Sequence, residues 1–143
     1  MSADTQLRVV IADDDAIARR VTRRALQEAG MTVVAEASDG REAVQLSLRH
    51  GPDVVVIDAV LPRLDGILAT RRILEANPGQ PVVVLTGADE DELAGEAFRA
   101  GAIDVVPKDT DPGLLIRALD AATRENAALS RAQPTRAAAG NIP

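Results

Sequence analysis

The run Leu7-Arg8-Val9-Val10-Ile11-Ala12 leads directly into three aspartates, Asp13-Asp14-Asp15. A short apolar run cut off by charge reads as a strand buried on both faces. A second such run, Val54-Val55-Val56-Ile57, closes on Asp58. Strands buried on both faces belong to parallel sheets, whose carboxyl ends share one edge, so the acids of both runs converge there. Like charges that close cannot all stay ionised without a cation. The pattern therefore predicts raised carboxyl pKa values or a bound metal.

Working outward, short apolar runs alternate with longer amphipathic stretches five times. The strand candidates are Leu7–Ala12, Thr32–Ala37, Asp53–Asp58, Pro81–Thr86 and Ile103–Pro107. Helix candidates are Ala16–Ala29, Arg41–His50, Ile67–Ala76, Glu90–Ala100 and a last one from Pro112 to about Arg131. Glycines at 30, 51, 79 and 101 follow helices, where a left-handed residue ends a helix at little cost. Asp15 fits the cap position of the first helix, and Asp65-Gly66 reads as turn and helix-start chemistry. The lone His50 ends the second helix, where its charge suits the macrodipole.

Such alternation implies an α/β fold, a doubly wound five-stranded parallel sheet with helices on both faces. The runs at 9–11, 54–57 and 82–85 are continuously apolar, as central strands are, whereas Pro107 lacks an N–H and suits an edge strand. That arrangement fits the flavodoxin-like order 2-1-3-4-5, in which ligands bind beside strands 1 and 3. Asp13, Asp58 and Thr86 all fall at that place. The domain spans residues 1–125, and residues 126–143, with Pro134, Gly140 and Pro143, read as a flexible tail or linker.

Composition narrows the function. Apolar residues make up 46% and charged ones 27%, a globular balance. No apolar stretch is long enough to span a membrane and nothing N-terminal resembles a signal peptide, so a cytoplasmic location is expected. Without cysteine, thiolate metal sites and cysteine nucleophiles are excluded. The net charge is −6, and because the tail carries only Arg131 and Arg136, residues 1–125 hold −8. An acidic domain with one Phe and no Trp or Tyr has neither the phosphate contacts nor the stacking surfaces that nucleic acids need, so no direct DNA or RNA binding is expected.

Five features occur in order at the strand ends: Asp13-Asp14, Asp58, Leu61-Pro62-Arg63-Leu64-Asp65-Gly66, Thr86-Gly87 and Lys108. Together they resemble the receiver domain of two-component response regulators over residues 7–125. The resemblance implies a phosphorelay signalling switch that catalyses only its own phosphorylation and dephosphorylation. It makes Asp58 the acceptor of a phosphoryl group from a histidine kinase or phosphotransfer protein. It implies Mg²⁺ held by Asp13, Asp14, Asp58 and the backbone carbonyl of Val60. Lys108 supplies a second positive charge, and the Thr86 hydroxyl bonds the phosphate. It further implies an output domain or protein target, and it leaves open a phosphorylation-dependent homodimer through helix 4, strand 5 and helix 5.

The sequence also departs from that pattern. Val105 stands where many receivers carry an aromatic switch residue, and Asp109 follows the lysine where many carry a cis-proline. Val60 and Ala88, which flank the path of attacking water, are apolar. On the first helix, Arg19, Arg20, Arg23 and Arg24 lie opposite Ile17, Val21 and Ala25. That stripe reads as a solvated outer face, or as a docking surface for an acidic partner, since the family's first helix packs against the kinase. Two other functions stay on the table. Asp13-x-Asp15, Thr86 and a later lysine superficially fit a haloacid dehalogenase-like phosphatase with Asp13 as nucleophile. A receiver-like interaction module that is never phosphorylated is the other.

Overall fold

The computed structural model describes residues 6–132. Five strands, β1 Arg8–Ala12, β2 Thr32–Ala37, β3 Val54–Asp58, β4 Val82–Thr86 and β5 Asp104–Pro107, form one sheet in the order β2-β1-β3-β4-β5. All four pairings are parallel. The helices are α1 Ala16–Glu28, α2 Gly40–His50, α3 Gly66–Ala76, α4 Asp91–Ala100 and α5 Pro112–Ala132. The expected α/β fold and strand order are those observed. Helix α5 continues past residue 126, and the expected tail beyond 132 lies outside the described residues.

Alternation along the strands sorts the core onto two faces. Val10, Ala12, Val55, Ile57, Val82 and Val84 point toward α2, α3 and α4, where Ala43, Ile67, Ile73 and Ala97 meet them. Val9, Ile11, Val54, Val56, Val83 and Leu85 point the other way, onto Leu26 of α1 and Leu119 and Ala122 of α5. Strands β3 and β4 are buried end to end, and β1 is buried from Val9 onward. Each fully buried Val or Ile contributes about 1.5–3 kcal/mol of transfer free energy. The side chains are β-branched, which suits the pleated backbone.

Helix starts follow their caps. Asp15 accepts from the Ile17 and Ala18 N–H groups, and Asp65 accepts from Leu68 N–H, as read from the sequence. Helix α2 begins one residue earlier than expected, because Asp39 caps it through Glu42 N–H while Glu42 Oε1 takes the Ser38 N–H in return. Gly30, Gly51 and Gly101 have positive φ, but Gly79 does not; α3 ends instead on Asn77.

The first helix corrects its expected orientation. Ile17 and Val21 are 76% and 57% exposed, and the inward stripe is Ala18, Thr22, Ala25 and Leu26. Nor are all four arginines solvated. Arg19 Nε and Arg23 Nη1 both pair with Glu36 of β2, at 3.1 and 2.8 Å. An acid at the penultimate position of an edge strand draws in that half of the stripe, leaving Arg20 and Arg24 exposed.

Two close approaches set the geometry of the sheet's carboxyl edge. A Cβ on Gly66 would lie 1.8 Å from the Asp58 carbonyl oxygen, and one on Gly40 1.7 Å from that of Leu64. Only glycine allows backbone to pass backbone so closely. Gly66→Ala is expected to destabilise the fold by about 2–3 kcal/mol, measured by urea denaturation, because backbone must move. Asp39 generates a pH signature. The Glu42 N–H outweighs the opposing effect of burial and, with the charge of Arg63, holds its carboxyl below the ordinary value. A lowered carboxyl pKa stabilises the fold above the unfolded value of ~3.9 and loses that contribution as pH falls through the folded value. Asn at 39 keeps the cap without the charge. The stability gap between wild type and Asp39→Asn should be flat at neutral pH and shrink below about pH 4.

Candidate functional site

Strand register, which no composition argument supplies, brings the site together. Ala12 lies beside Ile57, Asp58 beside Leu85, and Thr86 beside Pro107. The next residues along each strand, Asp13, Asp58, Thr86 and Lys108, therefore form one row across the carboxyl edge. Lys108 N–H donates to the Thr86 carbonyl at 2.8 Å, tying the last two strand ends. Carboxylate oxygens of Asp13, Asp14 and Asp58 come within 4.8 Å of one another. Asp13 and Asp58 are buried and Asp14 is exposed.

Each acid is oriented. Asp13 Oδ1 accepts the Asp15 N–H at 2.9 Å, while the Asp13 carbonyl accepts Arg19 Nη1 at 2.7 Å. Asp58 Oδ1 accepts the Val60 N–H at 3.1 Å. Its other oxygen takes Lys108 Nζ at 2.7 Å, and the same ammonium lies 3.3 Å from Asp13 Oδ2. One cation thus bridges two buried acids and leaves the three-carboxylate group with excess negative charge.

The electrostatics follow from burial. Desolvation lifts the Asp58 carboxyl above its ordinary value, the Asp13 charge adds to it, and Lys108 and the Val60 N–H only partly oppose it. Burial works against the charge on Lys108, but the Asp58 hydrogen bond and the charges of Asp58 and Asp13 outweigh it, so its pKa is raised. The donor set fits a hard divalent cation. It offers several carboxylate oxygens at one point, uncompensated charge, and an exposed member open to solvent.

The remaining expected residues take distinct places. Thr86 is buried at the end of β4, in the turn that Gly87 and Glu90 close with a hydrogen bond from Gly87 N–H to Glu90 Oε1. Val60 lies in the loop after β3 with its residue 53% exposed. Val105 is half-buried in β5. No cis peptide occurs among the described residues. Sequence reading missed Arg19 as a partner of the Asp13 carbonyl, and it missed Asp39 and Arg63, which pair at 3.1 Å beside the β3–α3 loop. The Ser38-Asp39-Gly40-Arg41-Glu42 run carries a signal for Asp39, an acid followed by Glu three residues on.

The raised Asp58 pKa means that its ionised form is less favourable in the fold than in the unfolded chain. Asp58→Asn should therefore raise the urea midpoint at neutral pH in EDTA. Saturating Mg²⁺ should narrow that difference, because a ligand that binds the folded wild type stabilises it.

Comparison with known proteins agrees with this geometry. The response regulator receiver domain family matches residues 9–120. A transcriptional regulatory protein of Bacillus subtilis, YxjL, is 39% identical over 123 residues, which cover 85% of this chain and 56% of that protein. The chain thus spans about half the length of that relative. The chemotaxis protein CheY of Thermotoga maritima is 34% identical over 79% of this chain and 94% of its own length. Among solved structures, a LuxR-family two-component response regulator from Aurantimonas sp. SI85-9A1 superposes with a TM-score of 0.80 at 36% identity, covering 84% of this chain and 86% of that one. An acidic edge bridged by one lysine, on a 2-1-3-4-5 sheet, places this chain in the family of response regulator receiver domains.

Proposed function

We propose that this chain is a phosphorylation-activated switch in which Asp58 accepts a phosphoryl group from the phosphohistidine of a histidine kinase or phosphotransfer protein. The observation that carries it is the meeting of Asp13, Asp14 and Asp58 with Lys108 Nζ, which lies 2.7 Å from Asp58 Oδ2. An Asp58 oxygen attacks phosphorus, an O–P bond forms, and the N–P bond breaks with its electron pair returning to the imidazole. Such transfer is mostly positioning and charge neutralisation. Asp13, Asp14, Asp58 and the Val60 carbonyl would hold Mg²⁺, whose charge, when bound, offsets that of the transferring oxygens. Lys108 is already seated on Asp58 and shifts onto the incoming phosphoryl oxygens. The Thr86 hydroxyl, one strand over in the same row, donates to the same group.

The chain's own chemistry ends at gaining and losing this phosphoryl group. Val60 and Ala88 give no carboxylate or amide to orient a hydrolytic water. The phosphodonor docks on the groove beside Lys108, lined by Ala18, Val21, Thr22, Pro112 and Leu115 between α1 and α5. Exposed Ile17 and Val21 favour an apolar contact there over the arginine stripe, two of whose members are engaged on Glu36. The change passes to an output domain or protein target in the cytoplasm. Homodimerisation through α4, β5 and α5 is one route, with Thr86 rather than an aromatic at 105 as the moving part. No helix among the described residues is long and apolar enough to cross a membrane.

Intact mass after incubation with Mg²⁺ and acetyl phosphate tests the reading. Wild type should gain one phosphoryl group and Asp58→Asn none. A label that survives Asp58→Asn but disappears with Asp13→Asn would point to phosphatase-like chemistry instead. Absence of label with acetyl phosphate and with a phosphorylated histidine kinase would leave only a phosphorylation-independent module.

A further inference from the structure

The loop between β3 and α3 is held from three sides. Gly66 passes against the Asp58 carbonyl and Gly40 against that of Leu64, both too closely for any other residue. The third hold is between side chains. Arg63 Nη1 donates to Asp39 Oδ2 at 3.1 Å. Among the described residues Arg63 is the one non-glycine at positive φ, 66°. That conformation costs a side-chain-bearing residue on the order of 1–2 kcal/mol and persists where its surroundings enforce it.

The two partners are unequal. The Arg63 side chain is 66% exposed and that of Asp39 only 8%. Asp39 is anchored further by the Glu42 N–H at 2.8 Å. The acid is therefore the fixed end, and the arginine brings the loop to it. The stretch so fastened starts at Val60, whose N–H bonds Asp58, and closes with Gly66 N–H on the Ala59 carbonyl. A half-exposed pair adds little to global stability. Its effect falls instead on which conformation the short loop occupies.

We propose that Asp39 and Arg63 are positioning residues for the metal site, holding the β3–α3 loop so that Val60, whose N–H bonds Asp58, keeps its place beside the acid cluster. This rests on the reading of Asp13, Asp14, Asp58 and Val60 as Mg²⁺ ligands. Groups that orient ligands rather than bind the ion typically change metal affinity by about 10–100-fold when removed.

Mg²⁺ titration of the full chain, followed by amide resonances, gives the affinity, and the thermal midpoint in EDTA reports the fold. Arg63→Gly removes the guanidinium together with the steric cost of φ 66°, and Asp39→Asn keeps the helix cap. Both should bind Mg²⁺ about tenfold more weakly. Arg63→Gly should leave the EDTA midpoint unchanged or higher, which a purely structural role does not allow. Arg63→Lys, keeping the charge, should recover most of the affinity. Wild-type affinity in either Arg63→Gly or Asp39→Asn, with Asp14→Asn failing to bind, would overturn the positioning role and leave the ligand assignment standing. Undiminished binding by Asp14→Asn, or none by wild type, would remove the ligand assignment and the positioning role with it.

Discussion

Two buried carboxylates, Asp13 and Asp58, share a single ammonium, and this unresolved charge governs the upper edge of the molecule. Burial makes each charge costly, and proximity makes the pair costlier. The fold meets that cost with oriented dipoles. Asp13 accepts a backbone N–H from Asp15, and Asp58 accepts one from Val60. Those bonds fix the acids without neutralising them. What remains is a cluster of three carboxylates with uncompensated negative charge, and its most exposed member, Asp14, is open to solvent.

Rigidity at this edge comes from two close backbone passages and one side-chain pair, Arg63 with Asp39. The carbonyl of Asp58 itself lies under Gly66, so the strand that carries the central acid is braced by the start of α3. The N-terminus of α2 braces the same loop from the far side through Gly40 and Asp39. Two helices on one face of the sheet thereby share the task of holding a seven-residue connection. The opposite face has a different character. Helix α1 leaves Ile17 and Val21 largely uncovered beside Lys108, so apolar surface and the reactive row are neighbours. A tightly braced half and an open half meet along one line of carboxylates.

Much of this was readable from the chain. Continuous Val and Ile runs ended by Asp58 and Thr86 identify central strands and their last residues, because burial on both faces leaves no polar alternation to blur the boundary. Pro107 marks the edge, and Asp15 and Asp65 announce helix starts by their chemistry. Other features escape for physical reasons. Helical periodicity names a stripe on α1 but not how far α5 covers it, so Ile17 and Val21 were expected inside. A charge stripe does not reveal that Glu36 waits on the adjacent strand. Gly79 has the composition of a left-handed cap, yet Asn77 ends α3 before it is needed. Arg63 shows the reverse, a left-handed position in a residue whose identity gives no hint of it. The site's members were legible, whereas their distances depended on register.

The strand order also bears on how the chain acquires its structure during synthesis. β1 is translated first but pairs on both sides, with β2 on one and β3 on the other. Until Val54–Asp58 leaves the ribosome, β1 has one unpaired edge centred on Val9, Val10 and Ile11, the kind of surface on which nascent chains associate. Closing that edge takes the whole span Arg8–Asp58, with β1, β3 and the elements between them present together, and β4 and β5 lie outward of it. Parallel pairing at that sequence separation is intrinsically slow. The acids at the ends of β1 and β3 meet only through the pairing of those strands, so the functional edge depends on the longest-range contact of the first half of the sheet.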